Sequence, residues 1–373
     1  MRDAMGSTAT VSRDSRVDQE GERTARASKR AGEAAVWRIF IFNWKLLAVI
    51  TGVVVAVLVT TEFRIEPLGY VVMFAVATLY TKFAQRHRNR KQWNPRVVFG
   101  LVAFGQLAFA LPMMTTLTYL ATAIPLPQQD QMLLAWDLAL GLDFREFLDV
   151  VNRHPEVIGW LALSYRSISW QLVAMAVVLP LLGRYRRIGE AVCAFILSLL
   201  VTTCISALVP AIGVYDVLHL TPADYPSFEP QGYYDTARDA PLLRAGGLRL
   251  LDLQRLVGVL TFPSFHAASA VLYMWAFWPI AWLRPLVVPL NIAMIAATPL
   301  GGGHYFVDVI AGVVVTVLAI YASRRIGEFV APEVSTATLS GVAVETDEAT
   351  GLATKVTPVR KGGRLAPALP DFW

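Results

Sequence analysis

His266 and His304 are two of only five histidines in the chain. Each stands at the head of an apolar run, and 38 residues separate them. Asp308 follows His304 by four residues, a spacing that puts both on one helix face, one turn apart. A carboxylate so placed can hold one ring nitrogen and leave the other a better nucleophile or base. The carboxylate also needs such a partner, because leaving it uncompensated in an apolar helix costs several kcal/mol. His266 lies in FPSFHAAS, where Pro263 sets a helix start and Ser264 can cap its free N–H groups. Such a start draws anions through those N–H groups and the positive end of the helix dipole. His304 follows three glycines, which let the backbone approach a ligand closely or form an anion-binding nest.

Each feature has a plainer reading on its own. A histidine at a helix start is commonly a cap or an interfacial polar residue. A glycine triplet commonly serves close packing, and an arginine from another span is an alternative partner for Asp308. The conjunction on one face is what points to chemistry. A zinc site of two histidines and an aspartate is the nearest rival, but Asp308 lies a turn below His304, which suits orientation better than ligation. Ser264 as a nucleophile lacks the G-x-S-x-G elbow.

The elements that must position these residues are apolar. The chain is 55% hydrophobic and 16% charged, against about 25% charged in soluble domains, which marks a polytopic membrane protein. Its net charge of +5 does not indicate nucleic acid, because the basic residues sit in short clusters between apolar runs, where a membrane protein keeps its orientation charges. Cys193 and Cys204 fall in one run, roughly 16 Å apart along a helix, beyond disulfide reach. Eight runs, each near the ~20 residues of a span, cover about 40–61, 67–84, 97–124, 158–183, 188–213, 265–283, 285–300 and 304–323. Ser164, Tyr165 and Arg166 interrupt the fourth, and the seventh is short. The predicted fold is an all-α polytopic transmembrane bundle of about eight spans.

The loops alternate in charge. The N-terminal tail, the turn from Lys82 to Arg96, the turn at Arg184, Arg186 and Arg187, Arg284, and the end at Arg324 and Arg325 are basic. The turn at Arg64, the acidic loop 125–157 and the mixed loop 214–263 lie between them. Positive charge inside then predicts both termini in the cytoplasm, with His266, His304 and Asp308 at the outer face. An amphipathic stretch from Met132 to Val150 is expected to lie flat on that outer interface. Residues 1–35 are polar, without a cleavable signal, and read as a disordered basic tail. Residues 326–373 carry no assignable fold. The expected divisions are the tail 1–35, an N-terminal membrane unit 36–157, a catalytic membrane domain 158–325 and a cytoplasmic tail 326–373.

The segments P-S-x-H, at Pro263, Ser264 and His266, and G-H-x-x-x-D, at Gly303, His304 and Asp308, resemble the second and third signature motifs of the type 2 phosphatidic acid phosphatase superfamily. FPSFHAA and GGHYFVDVIAG are similar in particular to the branch that includes inositol phosphorylceramide synthases. The likeness covers about residues 158–325 and implies a six-helix phosphatase-type core; the spans before 158 resemble the N-terminal unit of that branch. The resemblance implies that His304 attacks phosphorus and carries a phosphohistidine. It implies that Asp308 orients His304 and that His266 protonates the leaving group. Ser264, Gly302 and Gly303 would hold phosphate oxygens, with no metal or other cofactor. It also implies a lipid phosphate or phospholipid substrate, no nucleic acid partner, and a place in a bacterial inner membrane.

The chain departs from the pattern twice. Ala297 and Thr298 stand where the common third motif has Ser-Arg, and the first motif, K-x6-R-P, has no counterpart before His266. A phosphoryl transition state needs positive charge. Arg255, just before the second motif, and Arg166, inside an apolar run, are the candidates to supply it, with Arg238, Arg244 and Arg249 further options. A loop arginine is otherwise a solvated charge, and Arg166 otherwise snorkels to the interface. The expected activity is a lipid phosphate phosphatase. The alternatives are a phospho-headgroup transferase, or a transporter or scaffold on the same fold.

Overall fold

The apolar runs fold as helices. The computed structural model describes residues 6–90, 93–332, 339–346 and 353–361. Its helices are α1 (Gly6–Thr60), α2 (Pro67–Arg88), α3 (Pro95–Thr122), α4 (Asp130–Ala139), α5 (Phe144–Asn152), α6 (Pro155–Arg166), α7 (Ile168–Leu181), α8 (Tyr185–Leu208), α9 (Val214–Val217), α10 (Gln231–Arg244), α11 (Phe265–Phe277), α12 (Arg284–Gly302) and α13 (Phe306–Val330). Strands β1 (Arg64–Ile65) and β2 (Leu250–Leu251) pair in parallel, and β3 (Leu339–Thr346) pairs antiparallel with β4 (Ala353–Lys361). The chain divides into Val36–Ala331 and a second unit of Met1–Ala35 with Pro332–Trp373.

The second unit corrects two expectations. The polar N-terminal tail is helical from Gly6, because its Ala, Arg and Glu residues favour helix even without an apolar face. The C-terminal stretch left without a fold carries the β3–β4 hairpin, with Leu339 opposite Lys361; its alternating Val and Thr residues suit a pleated strand.

Six helices among the described residues are long and apolar enough to cross a membrane: Ala31–Thr60, α2, α3, α8, Ala281–Gly302 and α13. The chain is thus an all-α polytopic membrane bundle. The interrupted fourth run is α6 and α7, bent by 50°. The Ser167 hydroxyl donates to the Ser164 carbonyl at 2.6 Å, and such back-bonding from serine bends helices. The sixth run is shorter than expected. Helix α11 has 13 residues and a length of about 20 Å. It stops at Phe277, just before Trp278 and Pro279; the proline ring carries no N–H to continue the helical ladder.

The turns gather at two ends of the bundle. At one end Arg64 N–H donates to Arg249 O, Gln129 N–H to Pro210 O and Val214 N–H to Gly303 O, at 2.8 Å each. At the other, basic end, Arg187 packs over Trp275 and bonds its carbonyl, Arg186 donates to Ala331 O at 3.0 Å, and Arg88 lies over Trp37. The alternation of charge along the chain is therefore an alternation of ends. The boundary expected at 157/158 does not separate two bodies, because α3 packs along α7 and α8, and α4 packs on α13. The amphipathic stretch is two helices, α4 and α5, with Leu133, Phe144, Leu148 and Val151 buried among Tyr215, Tyr225 and Tyr305. One face is thus packed into the protein, while Trp136, Leu138, Leu140 and Val150 stay exposed.

One bond pins α10 to α3. The buried Tyr119 hydroxyl donates to Asp239 at 2.6 Å and accepts the N–H of Val257 at 3.2 Å. Hydrogen bonds to charged groups are worth about 1.5–3 kcal/mol. Tyr119→Phe is therefore expected to destabilise the detergent-solubilised protein by a free energy in that range, read as a lowered thermal unfolding midpoint. An unchanged midpoint would show that α10 is held elsewhere.

Candidate active site

Helix α11 begins at Ser264, whose hydroxyl oxygen accepts the N–H of Ala267 at 3.4 Å. The backbone N–H of Ser264 donates to the carbonyl of Asp308 at 3.0 Å, so the starts of α11 and α13 are tied together. The first intrahelical bond runs from Ala268 N–H to Ser264 O, which leaves Phe265 and His266 among the N–H groups a helix start cannot satisfy internally.

Helix α12 ends at Gly302, and Gly303 takes the left-handed conformation at φ 67°, which glycine adopts without steric cost. That turn delivers His304 into the gap before α13. His304 Nδ1 lies 3.2 Å from Asp308 Oδ2, and the two side chains are 4% and 0% exposed. Asp308 Oδ2 also accepts the N–H of Tyr305 at 3.0 Å. The far edge of the His304 ring passes over Gly302, where an added Cβ would lie 2.7 Å from Nε2 and 2.9 Å from the Tyr165 hydroxyl. Only a residue without a side chain leaves that edge uncovered.

His304 and His266 line one cavity of about 850 Å³, together with Tyr165, Arg166 and Gly302. The Tyr165 ring stacks on His266 with centroids 3.9 Å apart and planes at 10°. Beyond this polar end the walls are apolar, with Leu111 from α3, Leu172 from α7, Phe195 and Leu199 from α8, and Phe265 from α11. Glu229, Gln231 and Asp235 line the cavity from the loop and α10.

The structure brings His304, His266, Gly302 and Arg166 to one cavity, with Asp308 buried behind His304 and Ser264 buried outside the cavity lining, its hydroxyl capping α11. Gly303 stands behind them, its carbonyl bonded to Val214 N–H. Arg255 is placed elsewhere. Its side chain is 88% exposed, pairs with Asp252 at 3.4 Å, and does not line the cavity. Arg238 is paired with Asp235 and Asp239, Arg244 bonds the carbonyls of Ile124 and Leu126, and Arg249 packs over Phe63. Of the five candidate arginines, only Arg166 reaches the cavity. It carries no ion pair among the described residues, where no three His, Cys, Asp or Glu side chains are grouped as metal ligands.

The sequence reading passed over two acids. Asp130, 8% exposed, accepts the Tyr305 hydroxyl at 2.8 Å and the N–H groups of Ile212 and Gly213. Asp137, 1% exposed, accepts the N–H groups of Phe306 and Val307 at 2.8 Å each. Burial raises both carboxyls above the usual range, while these bonds oppose the rise. Burial beside Asp130 pushes the Tyr305 hydroxyl up, keeping it a donor. The available signal was their seven-residue spacing, which puts both on one face of an amphipathic helix.

These features define an integral membrane protein with a buried histidine–aspartate pair whose histidine lines a cavity. The model of the PAP2 superfamily matches residues 131–322, just over half of the 373 residues, and the chain belongs to that superfamily. Its members are phosphoesterases or phosphotransferases. The match begins at 131 rather than 158 and so takes in α4 and α5. No curated protein and no solved structure matches the chain.

Proposed function

We propose that the protein is a lipid phosphate phosphatase that works through a phosphohistidine. The observation that carries this reading is the His304 ring, held at Nδ1 by Asp308 and presenting its other edge to a cavity shared with His266 and Arg166. In the first step Nε2 of His304 attacks phosphorus, and the bond from phosphorus to the leaving oxygen breaks. His266, protonated, gives its proton to that oxygen. In the second step His266 takes a proton from water, the hydroxide oxygen bonds phosphorus, and the bond to Nε2 breaks. Asp308 holds the ring and balances its positive charge. The N–H groups at the start of α11 and the Arg166 guanidinium face the charge on the phosphoryl oxygens. Arg166 is offered from α6, which packs along α12, where Ala297 and Thr298 carry no charge. The apolar walls fit the hydrocarbon chain of a lipid.

Arg166→Ala is expected to lower kcat/KM about 10²-fold, a typical loss for one group that stabilises transition-state charge. Arg166→Lys should recover part of it. Wild-type rates in the alanine variant would move the charge to another residue.

A transferase of the inositol phosphorylceramide synthase type is the second reading. Glu229, Gln231 and Asp235 on the cavity wall favour it, because they offer hydrogen bonds to an acceptor hydroxyl. It shares the first step and differs in what attacks the phosphohistidine. Purified protein would be given phosphatidic acid, prenyl diphosphate, or phosphatidylinositol with ceramide. Free phosphate then marks the phosphatase and a new phospholipid the transferase; neither product from any lipid would leave a transporter or scaffold. The basic end is assigned to the cytoplasm of a bacterial plasma membrane with both termini, and the histidines to the outer side.

A further inference from the structure

We infer that Asp137 is a positioning residue for His304, an inference that rests on the phosphotransfer reading above. The two oxygens of Asp137 take the N–H groups of Phe306 and Val307, the first two residues of α13, across 169 and 170 positions of sequence. No arginine, lysine or histidine pairs with it among the described residues. A carboxylate buried without a cation is stable here because it sits on the positive end of a helix and satisfies two N–H groups that the helix cannot.

Two turns back along α4, Asp130 takes the Tyr305 hydroxyl and the Gly213 N–H. On the other side, Gly303 O is held by Val214. His304 is thus the one residue between two anchored stretches, and its ring has little freedom besides its bond to Asp308. Filling the start of α13 has a second effect. The substrate's anionic group finds that end occupied by the protein's own carboxylate, and is left to Nε2 of His304 and the start of α11. Orienting groups of this kind commonly govern 10- to 100-fold of activity.

The test uses full-length protein in detergent with Asp137→Ala and Asp137→Asn. Each is assayed on whichever of phosphatidic acid and prenyl diphosphate the wild type turns over faster, with size-exclusion profile and thermal midpoint recorded beside the kinetics. The expected result is a fall in kcat of about 10- to 100-fold with KM within about twofold. Asparagine should fall between alanine and wild type, because its one carbonyl oxygen still accepts one N–H. Unchanged kcat in the alanine variant overturns the inference. So does a loss confined to folded yield or midpoint, with the surviving molecules turning over at the wild-type rate. A wild type inactive on both lipids and on phosphatidylinositol with ceramide, or an undiminished His304→Ala, overturns the phosphotransfer reading itself and this inference with it; that failure shows in the parent and the His304 variant, not in the position 137 series.

Discussion

Alanine in place of His304 is expected to lower turnover of a lipid phosphate by roughly 10⁴-fold or more, the scale seen when a nucleophile is deleted. The fold should survive. His304 contributes one bond to Asp308, and Asp308 keeps the N–H of Tyr305. The same variant should lose the acid-labile phosphate that the wild type retains when radiolabelled substrate is quenched in mid-turnover. Purified variant with a wild-type size-exclusion profile and no turnover is the supporting result. Retained turnover would show that the histidine does not carry phosphorus, and would move the nucleophile to another residue.

Gly312→Ala is expected to harm stability and rate together. A Cβ at this position in α13 would collide with the carbonyl oxygen of Ser264, and would lie 3.4 Å from the Cβ of Ala267. The obstacle is backbone, so no rotamer change relieves it. The two helices must separate, and overpacking of this kind costs typically 1–3 kcal/mol. The same contact surface sets how His266 on α11 faces His304 ahead of α13, and a displacement near 1 Å can cost about 10²-fold in rate. The thermal midpoint should fall and kcat should drop, although the substituted residue touches no substrate. Full rate at an unchanged midpoint would mean that the helix starts are not as closely apposed as Ser264 N–H to Asp308 O implies.

The reactive residues were legible because their signals are local. His304 and Asp308 are four residues apart, and His266 sits two residues past a capping serine. The order of basic and acidic turns was legible because it repeats with the spans. What supports the pair was not. Asp137 reaches Phe306 across 169 residues, and within its own segment it looks like any acid on the wet face of an amphipathic helix. Tyr165 was noticed only as an interruption, since its stacking on His266 depends on a bend at Ser167. The arginine question stayed open for the same reason. Arg255 is near His266 in sequence and faces away, whereas Arg166, 100 residues earlier, arrives through the packing of α6 on α12. The terminal segments were not legible because propensity, rather than apolar burial, shapes them.

The shortness of α11 has a bearing on how water and lipid compete. Its far end is level with the basic turns, since Trp275 and Pro279 hold Arg187 and Arg184. Its histidine end therefore stops about 10 Å short of a hydrocarbon layer roughly 30 Å thick. Phosphorus would change hands in a recess below the headgroups, which an attacking water must reach through the cavity rather than from the open surface. How readily an acceptor reaches the phosphohistidine would then depend on the depth set by a thirteen-residue helix.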